Sequence, residues 1–138
     1  MGDQGQIWQV EATGGVLIPG EDGAIALPSG QLVSLMETIW NAPGPDGMVT
    51  RFRFVAPAIN PETAPETGAI DFEMATADIA WLCQNFALDR VMTSGPLPAQ
   101  IIVSLSDRAV PFGETAPDVV QYFEAFRVED GACIWEMF

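Results

Sequence analysis

The sequence predicts an α+β fold, an antiparallel sheet of about five strands with one helix packed on one face. Three observations predict it. Two segments, Met48–Ala56 and Gln100–Ser106, alternate apolar and polar residues with the period of a half-buried strand. A single stretch after Asp71 carries apolar residues at helical spacing. Near the C-terminus, Asp130-Gly131 separates two further alternating runs, and this dipeptide suits a two-residue type I′ hairpin turn. The resulting order is strand, strand, helix, strand, strand, strand. Alternating strand–helix units, which would point to a parallel sheet, are not apparent in this order.

Residues 1–30 read as an irregular N-terminal arm and residues 31–138 as one α+β domain. Met1–Gln6 is polar and carries no basic or apolar stretch of a secretory signal, and Met1-Gly2 reads as an added start. Ile7–Val10 suits a short strand. Glycine and proline then break up the chain from Thr13 to Gly30, leaving room for one or two small strands. Leu32–Trp40 is a strand with Val33, Leu35 and Ile39 on one face, and Asn41–Gly47 is turn chemistry of prolines and glycines. In the following strand Phe52 and Phe54 face inward and Arg51 and Arg53 outward. Together these two strands form a hairpin.

Pro57–Gly68 reads as a polar loop. Asp71 occupies an N-cap position with Glu73 in the first turn, and Ala75, Ile79, Leu82, Cys83 and Phe86 follow on one stripe to about Leu88. Arg90 suits the helix's negative end. In the next strand Ile101, Val103 and Leu105 share a face. Counting outward from Asp130-Gly131 pairs Glu129 with Ala132, Val128 with Cys133 and Phe126 with Trp135. That places Val128, Phe126, Cys133, Trp135 and Met137 on a face to be covered, and Arg127 diagonal to Glu136.

Composition prunes the chemistry. Hydrophobic residues make up 49 % of the chain, enough to build a core and to exclude a disordered tail. No run approaches the roughly eighteen apolar residues of a membrane-spanning helix. Nineteen Asp and Glu oppose five cations, all arginine, for a net charge of −14. Such a surface suits neither nucleic acid nor anionic lipid as partner. Without histidine or lysine the chain assembles no Ser-His-Asp or Cys-His nucleophile, no Schiff base and no phosphate-loop lysine. Two cysteines are too few for a zinc site, and the acidic turns do not match a calcium loop. No cofactor or metal is expected. Carboxylate chemistry alone survives.

Cys83 lies on the helix stripe and Cys133 on the apolar face of the last hairpin. If the helix covers that face, the pair fits a structural disulfide; the alternative is two buried thiols. The residues are not in a Cys-x-x-Cys arrangement, which disfavours redox catalysis.

Pro28-Ser29-Gly30-Gln31, Arg51–Pro57, Val103–Arg108 with Pro111-Phe112-Gly113, Phe123–Arg127 and Cys133–Glu136 occur in an order that resembles an uncharacterised family of small exported alphaproteobacterial proteins. The likeness runs from about Pro28 to Phe138. Members are often labelled acetolactate synthase, a label that does not fit this chain. That catalytic subunit is several times longer and binds thiamine diphosphate through a motif not found here. Its regulatory subunit needs a second helix. The resemblance implies a periplasmic or secreted location and supports the disulfide. It implies no activity and no catalytic residue.

Two function classes follow. The first is a non-catalytic envelope module that binds a protein or small molecule. Arg51, Arg53, Arg108 and Arg127 would form its anion-binding patch on the outer sheet face, unless neighbouring carboxylates such as Glu124, Asp107 and Glu136 neutralise them. The second is a carboxylate-dependent hydrolase using Asp107, Glu114 and Asp118. Trp40, Tyr122 and Trp135 read as core or rim aromatics.

Overall fold

The computed structural model describes residues 15–65, 68–114 and 116–136. The expected strand at Ile7–Val10 and the placement of Met137 lie outside these residues. Strands β1 (Val16–Pro19), β2 (Ile25–Ala26), β3 (Leu32–Gly44) and β4 (Gly47–Val55) come first. A helix runs from Phe72 to Thr93 as α1 (Phe72–Leu82), a π-helical turn (Cys83–Ala87) and α2 (Leu88–Thr93). Strands β5 (Gln100–Ser106), β6 (Gln121–Glu129) and β7 (Ala132–Glu136) complete the fold. The order across the sheet is β1-β3-β4-β5-β6-β7, and β2 pairs with the start of β3.

The fold is α+β, with two differences from the expected sheet. The strand count exceeds five because β1 and β2 dock end to end on successive stretches of the long β3, at Glu37–Trp40 and Leu32-Val33. The sheet is also not wholly antiparallel, since β4 and β5 run parallel. The chain leaves the end of β4, returns along the helix and enters β5 in the same direction, as a crossover connection requires. One such unit leaves no alternating pattern for the eye to find.

The N-cap is as expected: the Asp71 carboxylate accepts a hydrogen bond from the Met74 N–H at 2.9 Å. The helix continues past Leu88 because the π turn lets it run on to Thr93 without losing its buried stripe. Ala75, Ile79, Leu82 and Cys83 pack on Phe52, Phe54, Ile101, Val103, Leu105 and Phe126. Phe86 meets Phe52 and Phe54 edge-on, with ring centroids 6.3 and 5.4 Å apart. Cys83 and Cys133 are joined in a disulfide that fastens the helix to β7. Gln84 adds to the fastening, its amide oxygen accepting from the Cys133 N–H at 3.0 Å.

Several local expectations change. Val33 and Leu35 are in the core, but a β-bulge at Met36 reverses the alternation. Leu35 pairs with Phe54 and Glu37 with Arg53, so Thr38 and Trp40 turn inward and Ile39 outward, beside Arg51. The Asn41–Gly47 turn contracts to Pro45-Asp46, because β3 pairs with β4 as far as Gly44 and Gly47. Within the loop after β4, Pro57–Ile59 forms one 3₁₀ turn that buries Ala58 and Ile59.

In the last hairpin the register is the one counted from the turn, and Asp130 and Gly131 both have positive φ. Trp135, however, is 52 % exposed, since the helix ends its cover at Cys133 and the indole N–H turns to Glu124. Arg127 pairs with Glu129, and Glu136 instead accepts from Gln100 at 2.8 Å.

Candidate functional site

The face opposite the helix is where the arginines emerge. Strand alternation that sends Phe52 and Phe54 inward sends Arg51 and Arg53 outward from β4, near the middle of the sheet. Cross-strand pairing lays out two rows beneath them: Ile39, Arg51, Ile102 and Ala125 in one, Glu37, Arg53, Ser104 and Phe123 in the other. The loop from β5 to β6 folds back over this face. Gly113, with φ of 85°, supplies a left-handed turn next to Phe112. The Phe112 ring lies over both guanidinium groups, its centroid 5.1 Å from Arg51 Cζ and 5.4 Å from Arg53 Cζ. Together these surfaces enclose a groove of about 300 Å³. Arg51, Arg53, Ile102 and Ser104 contribute to its floor; Phe112 and Glu114 come from the covering loop, and Gln121 and Phe123 from β6.

The two arginines differ. Arg53 is spoken for: it forms an ion pair with Glu37, and its second nitrogen donates to the Val110 carbonyl oxygen at 2.8 Å. The bulge at Met36 puts Glu37 opposite it. Arg51 is half-buried and has no hydrogen-bond or ion-pair partner among the described residues. Burial, and then repulsion from Arg53, lower its pKa, and the cation–π contact with Phe112 offsets the lost hydration only in part. Each of the other four arginines holds a carboxylate: Arg53–Glu37, Arg90–Glu21, Arg108–Asp107 and Arg127–Glu129.

The expected four-arginine patch is therefore brought together only in part. Arg51 and Arg53 line the groove; Arg108 and Arg127 do not. Arg108 lies past the end of β5, and Arg127 is turned along its own strand toward Glu129. Phe112, Phe123, Ser104 and Gln121 were not singled out from the sequence. Phe123 carried a signal, since alternation places it outward beside Ala125, and it is 57 % exposed.

The expected carboxylates are likewise dispersed. Of Asp107, Glu114 and Asp118, only Glu114 lines the groove. Asp107 is a structural anchor whose carboxylate accepts from Asn60 Nδ2 at 2.6 Å, the Val120 N–H at 3.0 Å and Arg108 Nε at 2.9 Å. Burial raises the Asp107 pKa, but these donors and the Arg108 charge outweigh it and hold the carboxyl below its usual range. The stabilisation is present above the unfolded carboxylate value of about 3.9 and is lost as pH falls through the lower folded value. Asp107→Asn is therefore expected to flatten the acid limb of the stability curve. Urea midpoints measured from about pH 5 to pH 2.5 check this; an unchanged limb contradicts it.

A second buried carboxylate went unread. Asp78, on α1, accepts from the Ser29 N–H at 3.1 Å, from the Ser29 hydroxyl and from Gln31 Nε2 at 2.8 Å. It pins the Pro28–Gln31 loop to the helix. Beside that loop lies a larger depression of about 750 Å³, between Leu32, Pro57 and Met74. Among the described residues, no ionisable side chain lines it.

Fold and groove together define a small disulfide-stapled α+β domain that presents, in a cleft with aromatic walls, a half-buried arginine with no carboxylate partner among the described residues. The chain belongs to a family of unknown function, DUF6497, which matches residues 8–138. No curated protein and no solved structure matches it. Among the described residues, no helix is long and apolar enough to cross a membrane.

Proposed function

We propose that the chain is a non-catalytic binding module of the cell envelope, periplasmic or secreted, whose groove takes a carboxylate on Arg51. The observation that carries this reading is the Arg51 guanidinium, half-buried in the cleft with no carboxylate partner among the described residues. A guanidinium fork matches a planar carboxylate, and each such charge-assisted hydrogen bond contributes about 1.5–3 kcal/mol when water is excluded. Phe112 and Phe123 offer apolar walls to the rest of the ligand. Export is supported by the disulfide between Cys83 and Cys133, which persists in oxidising compartments.

The hydrolase alternative needs two carboxylates facing one cavity with separated pKa values. Glu114 stands in the groove without Asp107 or Asp118, so the geometry favours binding.

Benzoate and benzamide are matched probes, since both are planar and only one is an anion. Calorimetric titration is expected to show benzoate bound and benzamide at least tenfold weaker, with Arg51→Gln at least tenfold weaker for benzoate. Equal binding of the two probes, or parent-like binding by the variant, overturns the reading. Stability separates the two arginines as well. Arg51→Gln is expected to leave the urea midpoint unchanged or raised, because it removes a half-buried charge with no carboxylate partner among the described residues. Arg53→Met is expected to cost about 2–3 kcal/mol by stranding Glu37 and the Val110 carbonyl. A loss of stability in Arg51→Gln as large as in Arg53→Met would show Arg51 to be structural.

A further inference from the structure

We infer that the ligand of the groove is a zwitterion, a free α-amino acid with an apolar or aromatic side chain; this rests on the carboxylate reading of Arg51. The groove carries both signs of charge. Arg51 stands in its floor, and Glu114 lines the same cavity from the covering loop. Glu114 is exposed, and its carboxylate has no ion-pair or hydrogen-bond partner among the described residues. A carboxylate ligand on Arg51 therefore shares the cavity with an unpaired carboxylate unless it brings a cation of its own. The ammonium of an amino acid is such a cation.

The charge of the whole chain argues the same way. At −14 it repels free anions on approach, and a dianion such as phosphate most of all. A zwitterion has no net charge and enters without that penalty, while its two poles each find an opposite partner inside. Ser104 and Gln121 add hydroxyl and amide groups to the lining. Phe112, stacked on the arginines, and Phe123, 57 % exposed on β6, leave an apolar wall for the side chain. A cavity of about 300 Å³ is at the small end of ligand sites and suits a single amino acid better than a peptide.

L-Phenylalanine, N-acetyl-L-phenylalanine and L-phenylalaninamide test this on the full chain by calorimetry or by amide chemical shifts. N-acetylation removes the ammonium and amidation removes the carboxylate. Phenylalanine is expected to bind at least fivefold tighter than its N-acetyl form. Glu114→Gln, an exposed change that leaves the fold intact, is expected to abolish that preference. Phenylalaninamide is expected to bind at least tenfold weaker than phenylalanine. If phenylalanine and its N-acetyl form bind alike through Arg51 and Glu114→Gln has no effect, the zwitterion inference fails and the carboxylate reading stands. If none of the three binds while benzoate does, the zwitterion inference fails alone; if phenylalaninamide binds as well as phenylalanine, or benzoate and all three fail to bind, both fail together.

Discussion

Replacing Cys83 and Cys133 together by alanine is expected to lower the unfolding free energy by about 4 kcal/mol and the melting temperature by about 10–15 °C. The disulfide closes a loop between residues 50 apart in sequence. In the chain-entropy description, opening a loop of that length returns about 4 kcal/mol of conformational freedom to the unfolded chain. For a domain of this size that is a large share of a typical stability of about 5–15 kcal/mol. The native side loses little contact, since alanine keeps Cβ. The helix would still pack through Ile79, Leu82 and Phe86, but β7, which among the described residues pairs only with β6, would be held to it chiefly by Gln84. Thermal melts of the parent with and without reductant, alongside the double variant, check the effect. The reduced parent and the variant should melt alike. A shift of only a few degrees would mean that the helix and last hairpin hold each other without the sulfur link.

Phe52→Ala is expected to destabilise the fold by about 3–5 kcal/mol. Phe52 is fully buried at the centre of β4, edge-on to Trp40 at 5.8 Å and to Phe86 at 6.3 Å. Truncation removes most of a large apolar side chain and leaves a cavity that a sheet backbone pinned on both sides cannot collapse to fill. The consequence reaches the groove, because the chain neighbours of Phe52 are Arg51 and Arg53. Ligand affinity should therefore fall with stability in this variant. Phe123→Ala offers the contrast: on the exposed face it should change stability by no more than about 0.5 kcal/mol while weakening ligand binding. Urea unfolding read beside benzoate titration separates the two. Equal stability losses at Phe52 and Phe123 would contradict the assignment of core and groove faces.

Much of this arrangement was legible in the sequence where local chemistry decides it. The alternation of Arg51 and Arg53 with Phe52 and Phe54, the Asp71 cap and the register set by Asp130-Gly131 each depend on a few neighbouring residues, and each appears as read. What was missed depends on distant parts of the chain. The bulge at Met36 is set by pairing with β4, and it alone brings Glu37 to Arg53. That pairing is what distinguishes a structural arginine from its free neighbour, so the four-arginine patch could not be resolved into one site from spacing. The parallel alignment of β4 with β5 follows from where the crossover helix lands. Asp78 reads as one more polar helix position until the Ser29 loop closes on it. Phe112 shows its role only once the covering loop folds back across the sheet.

The arginine Nε–H resonances of the intact chain, followed by NMR during titration with benzoate, put the question to Arg51 itself. A saturable shift is expected at Arg51 Nε, with the amides of the 110–114 loop moving in step and Arg90, Arg108 and Arg127 unmoved. Arginine signals that all drift together with ionic strength, or an Arg51 signal that stays still while benzoate binds elsewhere, would contradict the groove as the site of carboxylate recognition.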